Sequence, residues 1–301
     1  MRRVFSINTL WCTRLLTVWL LTLSPLLAQA QGDNPAAALR SKYTTLIDKL
    51  GNNQFKRPLY LDSVESSSNL KGDIYALVDY PYDTVHTALN NSAHWCDVLI
   101  LHLNTKYCRA VTAQDGTLLK VSIGKKFDQP LDDAYPFEFA YRAVASTSDY
   151  FQVQLAAAKG PLGTSNYKIQ LEALKLDSGR TFLHLMYSYD YGMAGEFAMK
   201  IYLATAGSDK VGFTTTAKRL NGQPEYIRGM RGVVERNAMR YYLAIEAYLS
   251  EFFMPPALQF EKRLESWYDA TEQYSRQLHE VERTDYLEMK RKEYLRQQTV
   301  P

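Results

Sequence analysis

Residues 229–253 read GMRGVVERNAMRYYLAIEAYLSEFF, and this stretch decides which folds the rest of the chain can form. Its apolar residues recur at steps of three and four, which predicts one long amphipathic helix that ends before Pro255. The stripe that would face inward consists of Met230, Val234, Asn237, Tyr241, Ile245, Tyr248 and Phe252. A helix of this length must bury such a stripe against another layer, so the preceding residues should supply a large apolar surface.

The residues upstream of this helix predict that surface as an antiparallel β-sheet. Between residues 117 and 218, apolar and aromatic segments are separated by turn sequences such as Asp115-Gly116, which indicates about six strands. Two earlier strands are predicted at residues 59–65 and 70–80, and a helix should follow them. Within the series of strands, residues 195–206 fit no period of two and predict a short inserted helix.

Helices are also predicted at both ends of the folded part. Residues 31–57 contain a Pro-initiated helix that ends near Gly51. Residues 257–298 predict one amphipathic helix, because apolar residues recur there in a heptad-like seam. The seam consists of Phe260, Leu264, Trp267, Thr271, Tyr274, Leu278 and Val281. It could pack on the domain or pair two copies as a homodimer, and its interleaved acids argue against anionic lipid, so any membrane contact should be transient.

This order of elements is α+β, not the alternation that builds a parallel sheet. Over residues 58–253 the chain resembles the START-related lipid-transfer superfamily, also called SRPBCC or helix-grip proteins. The resemblance is carried by LKGDIYALVDYPYDTVHTAL as first strand and following helix, by the strands of 117–218, and by GMRGVVERNAMRYYLAIEAYL as the gripping helix. It implies a curved antiparallel sheet that grips a long C-terminal helix and encloses an apolar ligand. The helix near 195–206 and the extra terminal helices depart from the minimal fold.

The N-terminus predicts export. Residues 1–30 hold three Arg, an apolar run from Leu15 to Leu27 and then Ala28-Gln29-Ala30, which together are typical of a cleaved signal peptide. Without them, 32 basic and 32 acidic residues remain, so the sequence gives little reason to expect nucleic acid as a partner. The expected location is the periplasm of a Gram-negative bacterium.

The segment NSAHWCDVLILHLNTKYC, residues 91–108, contains the two cysteines that the mature chain would retain. Since an exported chain meets oxidising conditions, Cys96 and Cys108 are predicted to form a structural disulfide instead of a catalytic thiolate. His94, Asp97 and His102, with His184 from a distant element, could be imagined as metal ligands. Their spacing matches no common metal motif, so no metal and no cofactor are expected.

Six residues are predicted to contact the ligand. Asn237 interrupts the apolar stripe of the long helix, and it could either orient a ligand or satisfy a structural hydrogen bond. Tyr187 and Tyr189 alternate along one strand, so they should share a face. Glu138 and Arg142 share the opposite face from Tyr141 and could form an ion pair inside the cavity. The predicted set is Glu138, Arg142, Tyr187, Tyr189, Asn237 and Tyr241.

Three functions remain open on this sequence. The first is an exported carrier that encloses a lipid or sterol-like molecule between sheet and helix. The second is a cyclase-like or hydrolase-like enzyme on the same scaffold, with Glu138, Arg142 or the histidines as acid and base. The third is a cell-envelope interaction protein that acts through residues 257–298. The sequence contains no phosphate-binding glycine loop, Gly-x-Ser-x-Gly elbow or His-Glu-x-x-His motif that would favour the second.

Overall fold

The computed structural model describes Met1 and residues 34–299, except residues 115, 206, 219 and 220. The predicted signal peptide, residues 1–30, lies outside the described residues apart from Met1. All helices and strands named below belong to one unit that begins at Pro35. Among the described residues, none of the helices combines the length and apolar character that a bilayer span requires.

Eight strands form one antiparallel sheet in the order β1-β2-β8-β7-β6-β5-β4-β3. They are β1 Leu59–Glu65, β2 Asn69–Val78, β3 Thr105–Ala113, β4 Gly116–Ile123, β5 Tyr135–Ser146, β6 Tyr150–Lys159, β7 Thr164–Lys175 and β8 Thr181–Tyr191. A separate hairpin contains β9 Thr215–Lys218 and β10 Pro224–Tyr226. Strands β3 to β8 follow chain order as a meander, and the β1–β2 hairpin joins the sheet at β8.

The helices occupy both faces of this sheet. They are α1 Pro35–Gly51, α2 Tyr82–Leu89, α3 Ser92–Leu99, α4 Met193–Ala204, α5 Gly229–Ser250, α6 Pro256–Glu272, α7 Ser275–Leu278 and α8 Arg283–Thr299. Helix α5 lies against β2 at Gly72, where an added Cβ would be only 3.1 Å from the Cβ of Ala238. This glycine therefore lets the helix pack directly on the strand. The predicted α+β class, a sheet that grips a long helix, is confirmed.

The opposite face of the sheet is covered by α1. Leu39, Leu46 and Leu50 of this helix are buried against aromatic and aliphatic residues of β6, β7 and β8. The helix predicted after the second strand is two helices, α2 and α3. They are separated at Asn91, whose side chain accepts a hydrogen bond from the Ala93 N–H at 3.0 Å and caps α3.

The prediction of a single helix over residues 257–298 is wrong, because the chain leaves helical geometry at Tyr274 and turns back. Helices α6 and α8 then run antiparallel, with the rings of Phe260 and Tyr294 stacked at 3.6 Å and those of Trp267 and Tyr286 at 4.9 Å. The turn lets α6 and α8 bury aromatic residues against each other and against α5. Trp267 is 1% exposed, and its indole N–H donates to the backbone oxygen of Arg240 at 3.1 Å. The seam thus packs within the chain, and homodimerisation stays a prediction.

Candidate ligand-binding site

A cavity of about 330 Å³ lies between the inner face of the sheet and α5. Its boundaries come from strands β4, β5, β7 and β8, from α4 and α5, and from the loop between α3 and β3. Its apolar wall consists of Ile123, Phe137, Phe139, Pro161, Leu162, Tyr167, Tyr187, Tyr189, Met199, Val233 and Tyr241. A largely apolar cavity with a few polar groups is typical of a small-molecule site.

The aromatic wall follows from strand geometry. Residues two apart on a strand point to the same face, so Phe137 and Phe139 of β5 both face inward, as do Tyr187 and Tyr189 of β8. Tyr167 of β7 lies between the two pairs. Its ring centroid is 5.1 Å from that of Phe137 and 5.0 Å from that of Tyr189. The rings therefore form a continuous surface on which an apolar ligand could lie.

Helix α5 closes the cavity with the third predicted tyrosine. The ring centroid of Tyr241 lies 5.2 Å from that of Tyr187 across the space between helix and sheet. Burial raises the pKa of both phenols well above the ordinary value of 10, so both hydroxyls stay protonated. Tyr187, Tyr189, Asn237 and Tyr241 are thus brought together on the wall, as the sequence predicts, and their contact with a ligand remains a prediction.

The structure corrects the prediction for Glu138 and Arg142. Both side chains are exposed, and neither lines the cavity. The reason is strand parity: β5 turns Phe137 and Phe139 inward, so the residues of opposite parity face solvent. The sequence shows which residues of a strand share a face, but it does not show which of the two faces is covered.

Asn237 begins a polar end of the cavity. Its side-chain oxygen accepts a hydrogen bond from Arg240 at 3.4 Å, and its side chain also bonds to the hydroxyl of Tyr187. The structural alternative for this amide is therefore present, since it is hydrogen-bonded within the fold. It also lies on the cavity wall, and its role in orienting a ligand stays a prediction. The polar end also contains His102, Asn104, Lys126, Arg236 and Arg240, none of which the sequence singles out as a ligand contact.

Two of the cations at this end share one acceptor. Arg240 and Lys126 each lie 2.7 Å from the same carboxylate oxygen of Glu280, between α7 and α8. Burial raises the pKa of this carboxyl, but Arg240 and Lys126 outweigh burial and hold the pKa below its ordinary value. Glu280 is therefore a carboxylate at neutral pH. Arg236, which is 2% exposed, donates to the backbone oxygen of Val211 at 3.2 Å.

The His102 ring is almost fully buried and stacks on Tyr241 with centroids 4.8 Å apart. Its Nδ1 accepts a hydrogen bond from the Asn104 N–H at 3.2 Å, so the proton of the neutral ring is on Nε2. Burial, followed by the positive charge of Arg240, lowers the pKa of His102 well below 6.5. Nε2 has no hydrogen-bond partner among the described residues. His102 therefore carries a buried N–H donor beside the cavity.

The predicted disulfide is present between Cys96 of α3 and Cys108 of β3, whose Cα atoms are 5.2 Å apart. It ties the helix to the edge strand of the sheet, next to Trp95, which is 1% exposed. The indole N–H of Trp95 donates to the backbone oxygen of Leu89 at 2.9 Å. The segment of residues 91–108 is thus a stapled element that supports the loop carrying His102.

The residues considered as metal ligands have other partners. His94 contacts the backbone oxygen of Ala88 at 2.8 Å, and Asp97 pairs with Arg263 at 3.0 Å. In the part of the chain that the structure describes, no group of three or more His, Cys, Asp and Glu side chains is arranged to hold a metal ion.

His184 belongs to a different cluster, on the face of the sheet that α1 covers. Its two ring nitrogens lie 2.6 Å from Glu172 and 2.9 Å from Asp73, and its ring stacks on Tyr75 at 4.2 Å. Burial lowers the pKa of His184, but the hydrogen bonds to Asp73 and Glu172 outweigh it and raise the pKa above 6.5. Burial raises the pKa values of Asp73 and Glu172. The hydrogen bonds to His184 outweigh burial, so both pKa values lie below their ordinary values.

These shifts predict a pH window for the stability that His184 provides. Its contribution is complete below the unfolded pKa of 6.5 and is lost as the pH rises through the raised folded pKa. The carboxylates contribute above their unfolded values of 3.8 and 4.5, and their contribution is lost at lower pH. His184→Gln should therefore cost most between pH 4.5 and 6.5, as measured by urea unfolding across pH. A loss of the same size at about pH 9 would contradict this assignment.

No protein-family model matches this chain, and no curated protein is similar to it in sequence. Solved structures do match. Human StAR-related lipid transfer protein 5 is 9% identical with a TM-score of 0.36, and the match covers 72% of this chain and 98% of that one. Norcoclaurine synthase from Thalictrum flavum is 12% identical with a TM-score of 0.32, over 49% of this chain and 78% of the other.

A third match is the Zhui aromatase/cyclase from a Streptomyces species. It is 12% identical with a TM-score of 0.29, over 71% of this chain and 96% of that one. At these values the similarity carries no conclusion about what this protein binds.

Proposed function

We propose that this protein is an exported carrier that encloses an apolar small molecule, a lipid or sterol-like compound, in the cavity between its sheet and α5. The observation that carries the proposal is the cavity itself. About 330 Å³ of space lies between the sheet and α5, with a continuous aromatic wall along it.

Export, with the periplasm as destination, is part of this proposal and is supported by the sequence of residues 1–30 and by the disulfide. A carrier that works between membranes needs a water-soluble surface and a place to hide apolar groups. The balanced charge of residues 31–301 is consistent with that role, since it favours neither nucleic acid nor an anionic bilayer as a permanent partner.

The enzyme hypothesis loses two of its candidate groups. Glu138 and Arg142 are exposed and lie outside the cavity, and His102 is the one histidine among the described residues that line it. Since the ring of His102 is neutral and its Nδ1 is engaged by Asn104, it is suited to donate a hydrogen bond more than to accept a proton. We therefore favour binding over catalysis.

The carrier proposal predicts that the protein purified from its own host contains an apolar molecule. Native mass spectrometry should show a bound mass that denaturation releases. The variant Val233→Trp, which places a large ring in the cavity, should lose this mass, while Val64→Trp on the exposed side of β1 should keep it. Both variants must first show native circular dichroism, because overpacking can cost about 1–3 kcal/mol. A wild-type protein with an empty cavity would contradict the carrier proposal.

A further inference from the structure

Cationic side chains lie at one end of the cavity, and a purely apolar ligand would make no ion pair with them. Among the described residues that line it, Lys126, Arg236 and Arg240 are cations and none is acidic. Glu280, behind the lining, is shared by Arg240, Lys126 and Lys210. This carboxylate is thus shared by three cations, and none of the described side chains on the cavity wall is acidic.

Arg236 is another cation on the cavity wall. It donates to the backbone oxygen of Val211, and no carboxylate of the described residues forms an ion pair with it. Glu235, the preceding residue, instead accepts hydrogen bonds from Ser63 at 2.6 Å and from the Thr214 N–H at 2.9 Å. A buried guanidinium without a counter-charge costs free energy, and an anion in the cavity would offset that cost.

His102 supplies a second, independent observation. His102 lines the cavity at the same end as Lys126 and Arg240, and its buried Nε2–H donor has no partner among the described residues. Buried donors are usually satisfied, so an acceptor on a bound ligand would complete the hydrogen bonding of this ring. The backbone oxygen of His102 is held by Lys290 of α8 at 2.7 Å, which fixes the loop that presents the ring.

The cavity volume bears on the size of the ligand. About 330 Å³ is near the lower end of the range found for small-molecule sites. A slim ligand with a single chain and a small head group suits such a space.

We propose that the ligand is a single-chain amphiphile with an anionic carboxylate or phosphate end, which binds His102 Nε2–H, Arg236 and Lys126 while its chain lies along the aromatic wall. This assignment rests on the carrier function proposed above and names the ligand class of the same cavity. The two head groups share the required chemistry, since both present negatively charged oxygen acceptors to N–H donors.

Three probes with ten carbon atoms each test the assignment by isothermal titration calorimetry on the purified protein. They are decanoate, decyl phosphate and decan-1-ol. At least one anion should bind at least about tenfold more tightly than the alcohol, because charge-assisted hydrogen bonds replace neutral ones. Decanoate and decyl phosphate then distinguish the two head groups. If the alcohol binds as tightly as both anions, the anionic assignment falls while the carrier function stands. If none of the three binds and no apolar molecule is found by native mass spectrometry, both proposals fail.

Variants locate the head group. Arg236→Met should reduce the affinity for the preferred anion by about tenfold and leave that for decan-1-ol unchanged. His102→Phe keeps a ring beside Tyr241 but removes the donor, and it should reduce the same preference even if Arg236→Met fails to fold. Arg40→Met, an exposed arginine on α1, is the matched control and should change neither affinity. Unchanged anion affinity in a folded Arg236→Met and in His102→Phe would overturn the assignment.

Discussion

Replacing Glu293 by Gln is expected to lower the free energy of unfolding by about 3–5 kcal/mol, because it leaves two buried lysines without their shared carboxylate. Glu293 of α8 is 1% exposed and lies 2.9 Å from Lys106 of β3 and 2.7 Å from Lys290 of its own helix. Both lysines are fully buried. Removing a counter-charge from such a site costs far more than breaking an exposed ion pair.

The lysines would respond by shifting their protonation. Burial already lowers the pKa of Lys290 to about 8 against the opposing effect of Glu293. Burial lowers the pKa of Lys106 as well. Without the carboxylate, a neutral lysine becomes easier to bury than a charged one, so the loss of stability in Glu293→Gln should be smaller at high pH.

Urea unfolding at neutral pH measures this effect. Glu288→Gln, an exposed position on the same helix, is the matched control and should change the free energy of unfolding by no more than about 0.5 kcal/mol. A loss below about 1 kcal/mol in Glu293→Gln would show that the two lysines do not depend on the carboxylate.

Removing the disulfide is expected to lower the free energy of unfolding by about 3 kcal/mol. Cys96 and Cys108 are separated by 12 positions, and the crosslink restricts this loop in the unfolded chain. The double variant Cys96→Ala, Cys108→Ala should show the loss in urea unfolding. The wild-type protein unfolded in the presence of a reductant should show a similar one.

A free-thiol assay on protein purified without a reductant gives an independent check of the disulfide. No reactive thiol from Cys96 or Cys108 should be found. Two reactive thiols, or a double variant as stable as the wild type, would contradict a structural role and return these cysteines to consideration as reactive groups.

Much of the architecture could be predicted because each element depends on a short stretch of the sequence. The stripe of α5, the turns between the meander strands and the Pro-initiated α1 each depend on residues close together in sequence. Strand β3 is not predicted by such a local pattern. Its second residue, Lys106, is a charge at a buried position, and the partner that permits this, Glu293, is 187 residues away. A local pattern cannot reveal such a pairing.

The polar end of the cavity was missed for a related reason. On an isolated α5, Arg236 and Arg240 look like the solvent-facing side of an amphipathic helix. In the folded chain Arg236 contacts Val211, and Arg240 contacts Leu278 and Glu280, so both arginines are only 2% exposed. A signal for this was available: the seam from Phe260 to Val281 needed an apolar or aromatic surface to cover, and α5 is the neighbouring helix. His102, considered only as a metal ligand, instead faces the cavity.

The order of strands in the sheet has a consequence for how this chain is made. Residues 69–78 of β2 pair with residues 181–190 of β8, so β2 is synthesised more than a hundred residues before its second partner exists. Until then one edge of the β1–β2 hairpin has unpaired N–H and C=O groups, which can pair with other chains. Joining strands so distant in sequence is slow compared with forming the local hairpins of β3 to β8. During synthesis, the edge of β2 is therefore a part of the nascent polypeptide that needs shielding from aggregation.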